Sequence, residues 1–366
     1  MNNGQQKIYQ YILDNLAEGQ LGVNERIPTE EELCRMFNTS RSNAHYALKR
    51  LEGHGILRRN KKQGTSIQKI PSAFGLGKLR SELTRNVCIL CHHQPETRDV
   101  HVNELLFNAL ENGLRAENIS TTVKDAYGIT DLAEYKRLLA SLIASGCNAL
   151  VLIADGTGSG IPFEYPRVLS EFHSKVFVYD PGQSMAPNYP YNIVSPNLFE
   201  EGVLAVDYLL PKTNGSLCLC KEAGFRSNWL HERQIGMECA LIRSGNTTGL
   251  PVVEFAFEGD HAAFFRTLRE RGLGDGLGVI AMNDYVAVRL IDAAKAAGLI
   301  AGIDFPLISF DNNSLFQNYE LTTIAPSLRK IGAKLAEMIV NALSDNDQEE
   351  IVTTKINSSL MVRKTA

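Results

Sequence analysis

The chain has 366 residues, 44% of them hydrophobic and 21% charged, a balance that fits a globular protein with room for two or three domains. No apolar run reaches the roughly 18 residues that a membrane-spanning helix requires. The opening MNNGQQKIYQ has neither the basic nor the apolar region of a secretory leader, so a cytoplasmic protein is expected.

The net charge of −4 argues against nucleic acid until it is divided along the chain. Residues 1–70 hold 11 Lys and Arg against 7 Asp and Glu, and the remainder holds 26 against 34. A basic small domain ahead of an acidic larger one is the charge distribution of a DNA reader with a separate sensing body. Such modest charge implies that DNA affinity relies on dimerisation and falls with salt.

The first predicted element is an amphipathic helix with Ile8, Tyr9, Ile12, Leu13 and Leu16 on one face. A second begins after Pro28, where Thr29 and Glu32 have the spacing of a capping box, and Leu33, Met36 and Phe37 form its apolar side. Asn38-Thr39-Ser40 breaks it, and Ser40 can cap a third helix. That helix turns Ala44, Ala47, Leu48 and Leu51 inward and Arg41, Ser42, Asn43, His45, Lys49 and Arg50 outward. Small polar and cationic groups on the free N-terminal turn of a short helix suit a DNA major groove. Ile56–Arg59 and Thr65–Ile67 read as two strands whose connection, Asn60-Lys61-Lys62-Gln63-Gly64, is a cationic tip able to reach phosphates or a minor groove. The candidate DNA contacts are Thr29, Arg35, Ser40, Arg41, Ser42, Asn43, His45, Arg50, Lys62, Gln63 and Gly64.

The blocks IYQYILDNLAEGQL, RIPTEEEL, TSRSNAHYALKRLEGHGIL and QGTSI resemble the winged-helix DNA-binding domain of the GntR family of bacterial regulators over nearly all of residues 5–70. The family usually has Gly where Asn24 stands, Arg at Glu31, Thr-Val or Thr-Thr at Asn43-Ala44, often Arg at His45, and Gly at Lys62. Glu31 and His45 occupy positions that often touch DNA in relatives, so no operator sequence is carried over.

Residues 71–85, PSAFGLGKLRSELTR, are punctuated by Pro and Gly and then basic, and read as a linker. From residue 86 onward, short apolar runs alternate with helical periodicities. NVCILC, STTVKDAY, NALVLIAD, KVFVYD, NIVSPN, GSLCLC, VVEFAF, GVIAMND and PLISFD read as strands. Between them lie helical stretches such as NELLFNALENGLRAEN, FEEGVLAVDYLL and VAVRLIDAAKAAGL. This is an α/β pattern: parallel sheets with helices on both faces, over residues 86–366. The cysteines at 34, 88, 91, 147, 218, 220 and 239 are odd in number and scattered, as in a reducing compartment. Cys88 and Cys91 point to opposite sides of a strand, so no metal or redox role is expected of them.

Ligands of parallel α/β sheets bind beyond the carboxyl ends of the strands. There the sequence places Asp155, Asp180, Asn283-Asp284 and Asp311, with Arg233 as a guanidinium and Trp229 and His261 as flat faces. Carboxylates, amides and an arginine fork around aromatic planes suit the adjacent hydroxyls of a sugar. The competing reading of each Asp is a helix N-cap, and Asp284, directly ahead of YVAVRL, is expected to be one.

EEGVLAVDYLL, ERQIGM, EGDHAAFF, AMNDYVAVRLIDAAKAAGL, PLISFDN, LTTIAPSLRKIGAKLAEMIV and SSLMVRKT resemble the effector-binding domain of the LacI family, itself similar to periplasmic sugar-binding proteins. The resemblance implies that Arg233 holds a ligand hydroxyl or carboxylate and that Asn283 and Asp311 bind hydroxyls. It puts His261 where relatives have a stacking ring, lines the cleft with the loop that holds His93, and sets Asn197 where relatives often have Asp. No LacI-type hinge helix is evident, and a GntR-type head on a LacI-type body is similar to the arabinose-repressor branch of GntR regulators.

The expected function is a homodimeric, sequence-specific transcriptional regulator, a repressor whose affinity for double-stranded operator DNA is changed by a small sugar. No cofactor, metal or catalytic residue is expected. A sugar-processing enzyme is an alternative, but no G-x-G-x-x-G, phosphate loop, G-x-S-x-G or metal-ligand spacing occurs. A nucleoside- or purine-sensing regulator is another, and a transport-type binding protein sits poorly with the basic head.

Overall fold

The computed structural model describes residues 3–366 apart from 61–63, 73–74, 78, 80–84, 92–99, 127, 130, 154–174, 180–190, 247–248, 257, 260, 274 and 345–349. Helix α1 (Asn3–Ala17) buries Ile8, Tyr9, Ile12, Leu13 and Leu16 against α2 (Glu30–Phe37) and α3 (Arg41–Gly53). The predicted capping box starts α2. Thr29 Oγ1 accepts from the Glu32 amide at 3.3 Å, and the Glu32 carboxylate accepts from the Thr29 amide at 2.8 Å, so two otherwise orphaned donors are satisfied. These bonds to Thr29 hold the Glu32 carboxyl below its usual range. Asn38, left-handed at φ 46°, turns the chain out of α2, and Ser40 caps α3. Strands β1 (Leu57–Asn60) and β2 (Gly64–Ile67) pair antiparallel as the wing.

The body has two lobes, each around a six-stranded sheet. The first lobe contains β3 (Asn86–Cys91), α4 (Val100–Ala116), β4 (Ser120–Asp125), α5 (Leu132–Ala144), β5 (Ala149–Ile153), β6 (Val176–Tyr179) and β7 (Asn192–Pro196). The chain then crosses to α6 (Leu198–Leu209), β8 (Leu217–Glu222), α7 (Asn228–Arg243), β9 (Val252–Phe255), α8 (His261–Glu270), β10 (Gly278–Ala281), α9 (Asp284–Ala296), β11 (Leu307–Phe310) and β12 (Thr322–Ala325). It returns as α10 (Leu328–Ser344) and β13 (Thr353–Ile356), and crosses a third time into β14 (Ser359–Met361). The first sheet, β13-β7-β6-β5-β3-β4, is wholly parallel. The second, β14-β12-β11-β10-β8-β9, is parallel except at its β14 edge.

Central strands are covered on both faces, which explains their continuous apolar runs. In β3, Val87 and Ile89 join one apolar cluster while Cys88 and Leu90 join the other. Cys91 packs on the opposite side from Cys88, as the strand period requires. Glycines set the helix spacing. A Cβ on Gly202 of α6 would stand 2.0 Å from the Arg233 carbonyl oxygen of α7, and one on Gly236 equally close to that of Phe199. The backbones of α6 and α7 therefore touch.

Within the segment expected as a linker, residues 75–77 and 79 are helical. Leu76 and Leu79 are buried in the same cluster as Leu16 and Leu48 of the head. A Cβ on Gly77 would lie 2.3 Å from the Ile143 carbonyl oxygen at the end of α5. Among the described residues, Leu76 and Leu79 thus pack on the head core while Gly77 lies against the end of α5.

The three crossings between lobes are clasped together. The Asn197 amide donates to the Ile356 carbonyl at 2.9 Å and its side chain to Asn357 Oδ1 at 2.9 Å, while Ser327 Oγ donates to the Asn357 carbonyl at 2.8 Å. Asn197 also caps α6. Lys355 and Glu232 form an ion pair beside this clasp.

Candidate effector cleft and DNA-reading surface

The strand order of the second sheet reverses at β8, which lies between β9 and β10, and the ligand site of such a sheet lies off that switch point. Arg233 reaches the rim there from α7. Its Nε donates to Glu201 Oε2 at 2.7 Å, Nη1 to the Met282 carbonyl at 3.3 Å, and Nη2 to Asp311 Oδ1 at 3.2 Å. The guanidinium carbon lies 4.3 Å from the Phe310 ring centroid and 4.9 Å from that of Trp229, close enough for cation–π attraction. Burial works against the charge of Arg233, but Glu201 and Asp311 outweigh it and raise its pKa.

The two carboxylates differ in kind. Glu201 is 1% exposed, and its other oxygen accepts from Ser358 Oγ at 2.5 Å, so one buried side chain links the arginine to the third interlobe crossing. The Asp311 side chain is 39% exposed and is the member that can meet a ligand. Its backbone stands at φ 99°, followed by Asn312 at φ 51°, a conformation that costs a non-glycine residue about 1–3 kcal/mol and persists only where surrounding contacts impose it. Asp284 imposes it from below. Its carboxylate accepts from Ser309 Oγ at 2.5 Å, the Asn313 amide at 2.7 Å and Thr323 Oγ1 at 3.0 Å. Burial, with Asp311 nearby, pushes the Asp284 carboxyl up to about 7, against these hydrogen bonds.

The expectation that Asp284 caps its helix is corrected. Asn283 is the cap, accepting from the Val286 amide at 2.9 Å, while Asp284 is buried one residue inside and braces the Asp311 turn. Trp229, Arg233 and Asp311 come together as one cluster, with Asn283 next to the Met282 carbonyl. His261 opens α8, its ring stacked at 5.2 Å on Phe255 at the end of β9. His93, Asp155 and Asp180 lie outside the described residues. Among the described residues no group of three or more His, Cys, Asp or Glu could hold a metal ion.

The sequence reading missed Glu201, Phe310 and Ser358. A signal for Glu201 was present. Leu198, Glu201, Gly202, Ala205 and Leu209 share the buried stripe of α6, as Leu230, Arg233, Met237 and Leu241 share that of α7. One acid and one base on the facing stripes of two helices imply a buried pair.

On the head, Ser40, Arg41, Ser42 and His45 are exposed on the first turns of α3, and Thr29 and Arg35 are exposed at α2. Glu30, an unpredicted hub, sits among them. It accepts from Arg41 Nε at 3.5 Å, contacts His45 Nδ1 at 2.9 Å and accepts from Arg59 Nη1 at 3.4 Å. Asn43 turns inward, donating to Thr39 Oγ1 at 2.8 Å and accepting from Gln5 at 3.3 Å. Arg50 is half-buried, its guanidinium 5.8 Å from the centroid of the Tyr9 ring. Gly64 is exposed at φ 83°, where the wing returns; Lys62 and Gln63 lie outside the described residues.

A helix-turn-helix head with a wing, joined to a two-lobed α/β body, defines a DNA-binding transcriptional regulator. Residues 5–67 match the gntR family of bacterial regulatory proteins, and residues 222–366 match the periplasmic-binding-protein-like domain; the chain joins the two. It is 23% identical to the arabinose metabolism transcriptional repressor of Geobacillus stearothermophilus over 98% of this chain and 96% of that one. Over 61 residues, 17% of this chain and 25% of the relative, it is 38% identical to a probable fructoselysine utilization operon transcriptional repressor of Escherichia coli K12.

Solved structures share the fold. The transcriptional regulator CelR in complex with cellobiose aligns with TM-score 0.58 at 15% identity, covering 93% of this chain and all of that one. A LacI family regulator from Enterococcus faecium with bound ribose aligns with TM-score 0.55 at 20% identity, covering 76% and 98% respectively. Among the described residues, no helix is long and apolar enough to cross a membrane.

Proposed function

We propose that the chain is a cytoplasmic, homodimeric repressor whose grip on operator DNA is changed by a small sugar bound between its lobes. In this reading residues 1–70 are the head, 71–85 the joint and 86–366 the effector and dimerisation body. Arg41, Ser42, His45 and the wing tip at Lys62, Gln63 and Gly64 face bases and phosphates, while Thr29, Arg35, Ser40, Asn43 and Arg50 contact the backbone or support the reading helix. Trp229, Arg233, Asn283 and Asp311 form the ligand floor of the second lobe, and His93, Asp155, Asp180 and His261 complete the cleft. The protein binds its ligand without turning it over.

The observation that carries this reading is the Arg233–Asp311 pair at the carboxyl rim, braced by Glu201 and Asp284 and flanked by aromatic rings. A fixed donor fork beside an exposed acceptor, with apolar faces around them, matches the hydroxyls and ring face of a sugar. One relative named for arabinose metabolism and structures with ribose or cellobiose support it. Closure of the lobes on a ligand acts across the Asn197–Ser327–Asn357 clasp and through the helical joint at Gly77. Only a difference in sugar affinity between two arrangements of the dimer can change DNA binding, on the order of 1–3 kcal/mol of coupling.

The test is a thermal-shift panel of L-arabinose, D-ribose, cellobiose and related sugars on the full chain. A true effector at about 100 times its dissociation constant stabilises the fold by about 2.7 kcal/mol. A sugar that binds should change affinity for DNA selected from a random pool. No stabilisation by any sugar counts against the reading, and breakdown of bound sugar during incubation would point to an enzyme.

A further inference from the structure

Arg233 meets any ligand with its charge already answered. Glu201 holds Nε from inside the fold, the Met282 carbonyl takes Nη1 and Asp311 takes Nη2. Two carboxylates pair with this cation: Glu201, buried, and Asp311, whose side chain is 39% exposed. Arg363, near Asn312, spends its fork on the Leu321 carbonyl and the Asn312 side-chain oxygen. The exposed ionised group beside Arg233 is therefore the Asp311 carboxylate, while the arginine behind it is buried and already matched by Glu201.

We propose that this floor selects an uncharged polyhydroxyl ligand and rejects sugar acids and sugar phosphates, with Glu201 as the residue that sets the preference. The proposal rests on the sugar reading above and narrows it. A hydroxyl can donate to Asp311 and accept from Nη2 at the same time. A ligand carboxylate could only accept, so it would have to displace Asp311 from the arginine or lie against a like charge. With Glu201 absent from the pair, Arg233 would carry a spare positive charge toward the cleft, and an anion would be welcome. Glu201 does not face the cleft, so it acts on ligand choice through the arginine and is a positioning residue.

The experiment uses the full chain and matched pairs: L-arabinose with L-arabinonate, D-glucose with D-glucuronate, D-galactose with D-galacturonate, and D-ribose with D-ribose 5-phosphate. Titration calorimetry at low salt should show that whichever neutral sugar binds, its anionic partner binds at least about 30-fold more weakly, the size expected of one like charge a few ångströms away in a partly buried site. Glu201→Gln keeps the hydrogen-bonding shape and removes the charge; it should narrow that ratio to within about fivefold. Asp311→Asn, at an exposed position and safer for folding, should narrow it too. An anionic member that binds as tightly as its neutral partner overturns the proposal, as does a ratio unmoved in both variants. If no member of either series binds, the sugar reading itself fails, a result distinct from binding with the wrong preference.

Discussion

The head sets several basic side chains around one glutamate and the body pairs one glutamate with a single arginine, and the two sites differ in depth. Glu30 in the head has a side chain 23% exposed, and its partners Arg41 and His45 are 86% and 56% exposed. Glu201 in the body is sealed, and so is Arg233. Exposed pairs are screened and worth about 0–1 kcal/mol, so the Glu30 cluster can release its cations to phosphates at little cost. A buried pair is costly to break, because removing one partner strands the other's charge. The DNA-reading surface is thus soft and exchangeable, whereas the ligand floor is set before ligand arrives.

The largest effect should come from Glu201→Ala, which leaves Arg233 buried with only Asp311 as counter-ion. It should lower unfolding free energy by about 3–5 kcal/mol in denaturant titrations; a loss under 1 kcal/mol would mean that water already reaches this pair. A pH effect of a few kcal/mol comes next. Asp284 is raised from 3.8 to about 7, chiefly by burial, so the folded chain holds that proton more tightly than the unfolded one. The stability this provides is fully present below the unfolded value and is lost as pH rises through the folded value. Stability should therefore decline between about pH 4 and 7, and Asp284→Asn should flatten the decline; an unchanged slope would place its source elsewhere.

Gly202→Ala should cost about 1–3 kcal/mol by pushing α6 off α7 and should weaken sugar binding by shifting Arg233. Unaltered sugar affinity in that variant would show that the arginine does not depend on the helix spacing. The smallest stability change belongs to Glu30→Gln, under about 1 kcal/mol. Its signature is in DNA binding, where freeing Arg41 should steepen the salt dependence by about one counterion. An unchanged salt slope would remove Arg41 from the phosphate contacts.

Much of this architecture was legible in the sequence because local signals and tertiary packing agree. Thr29 with Glu32, and Ser40 ahead of a clean apolar stripe, fix the head; continuous apolar runs such as Ala149–Ile153 mark strands buried on both faces. The returning elements were harder to read. Strands β13 and β14 lie at sheet edges with half-exposed residues, and Thr322–Ala325 offers a short run without a clear period. Trp229, Arg233 and Asp311 could be picked out because strand ends are where ligands sit. Glu201 lay hidden on a helix beside Glu200, in an acidic pair whose residue types do not tell which member is buried, and Asp284 was taken for a cap because only the fold shows that Asn283 holds that place. Glu30 was masked by its setting: three consecutive glutamates at a helix start look like partners of the helix dipole.

The most direct test of the coupled head and body is an operator titration by fluorescence anisotropy, with and without the sugar found by thermal shift, in the native chain and in Asp311→Ala. The native chain should change its operator affinity by about 5- to 150-fold when sugar is added. The variant should bind DNA equally well and ignore the sugar. An operator affinity that sugar leaves unchanged in the native chain, or that still responds fully without Asp311, would contradict the account.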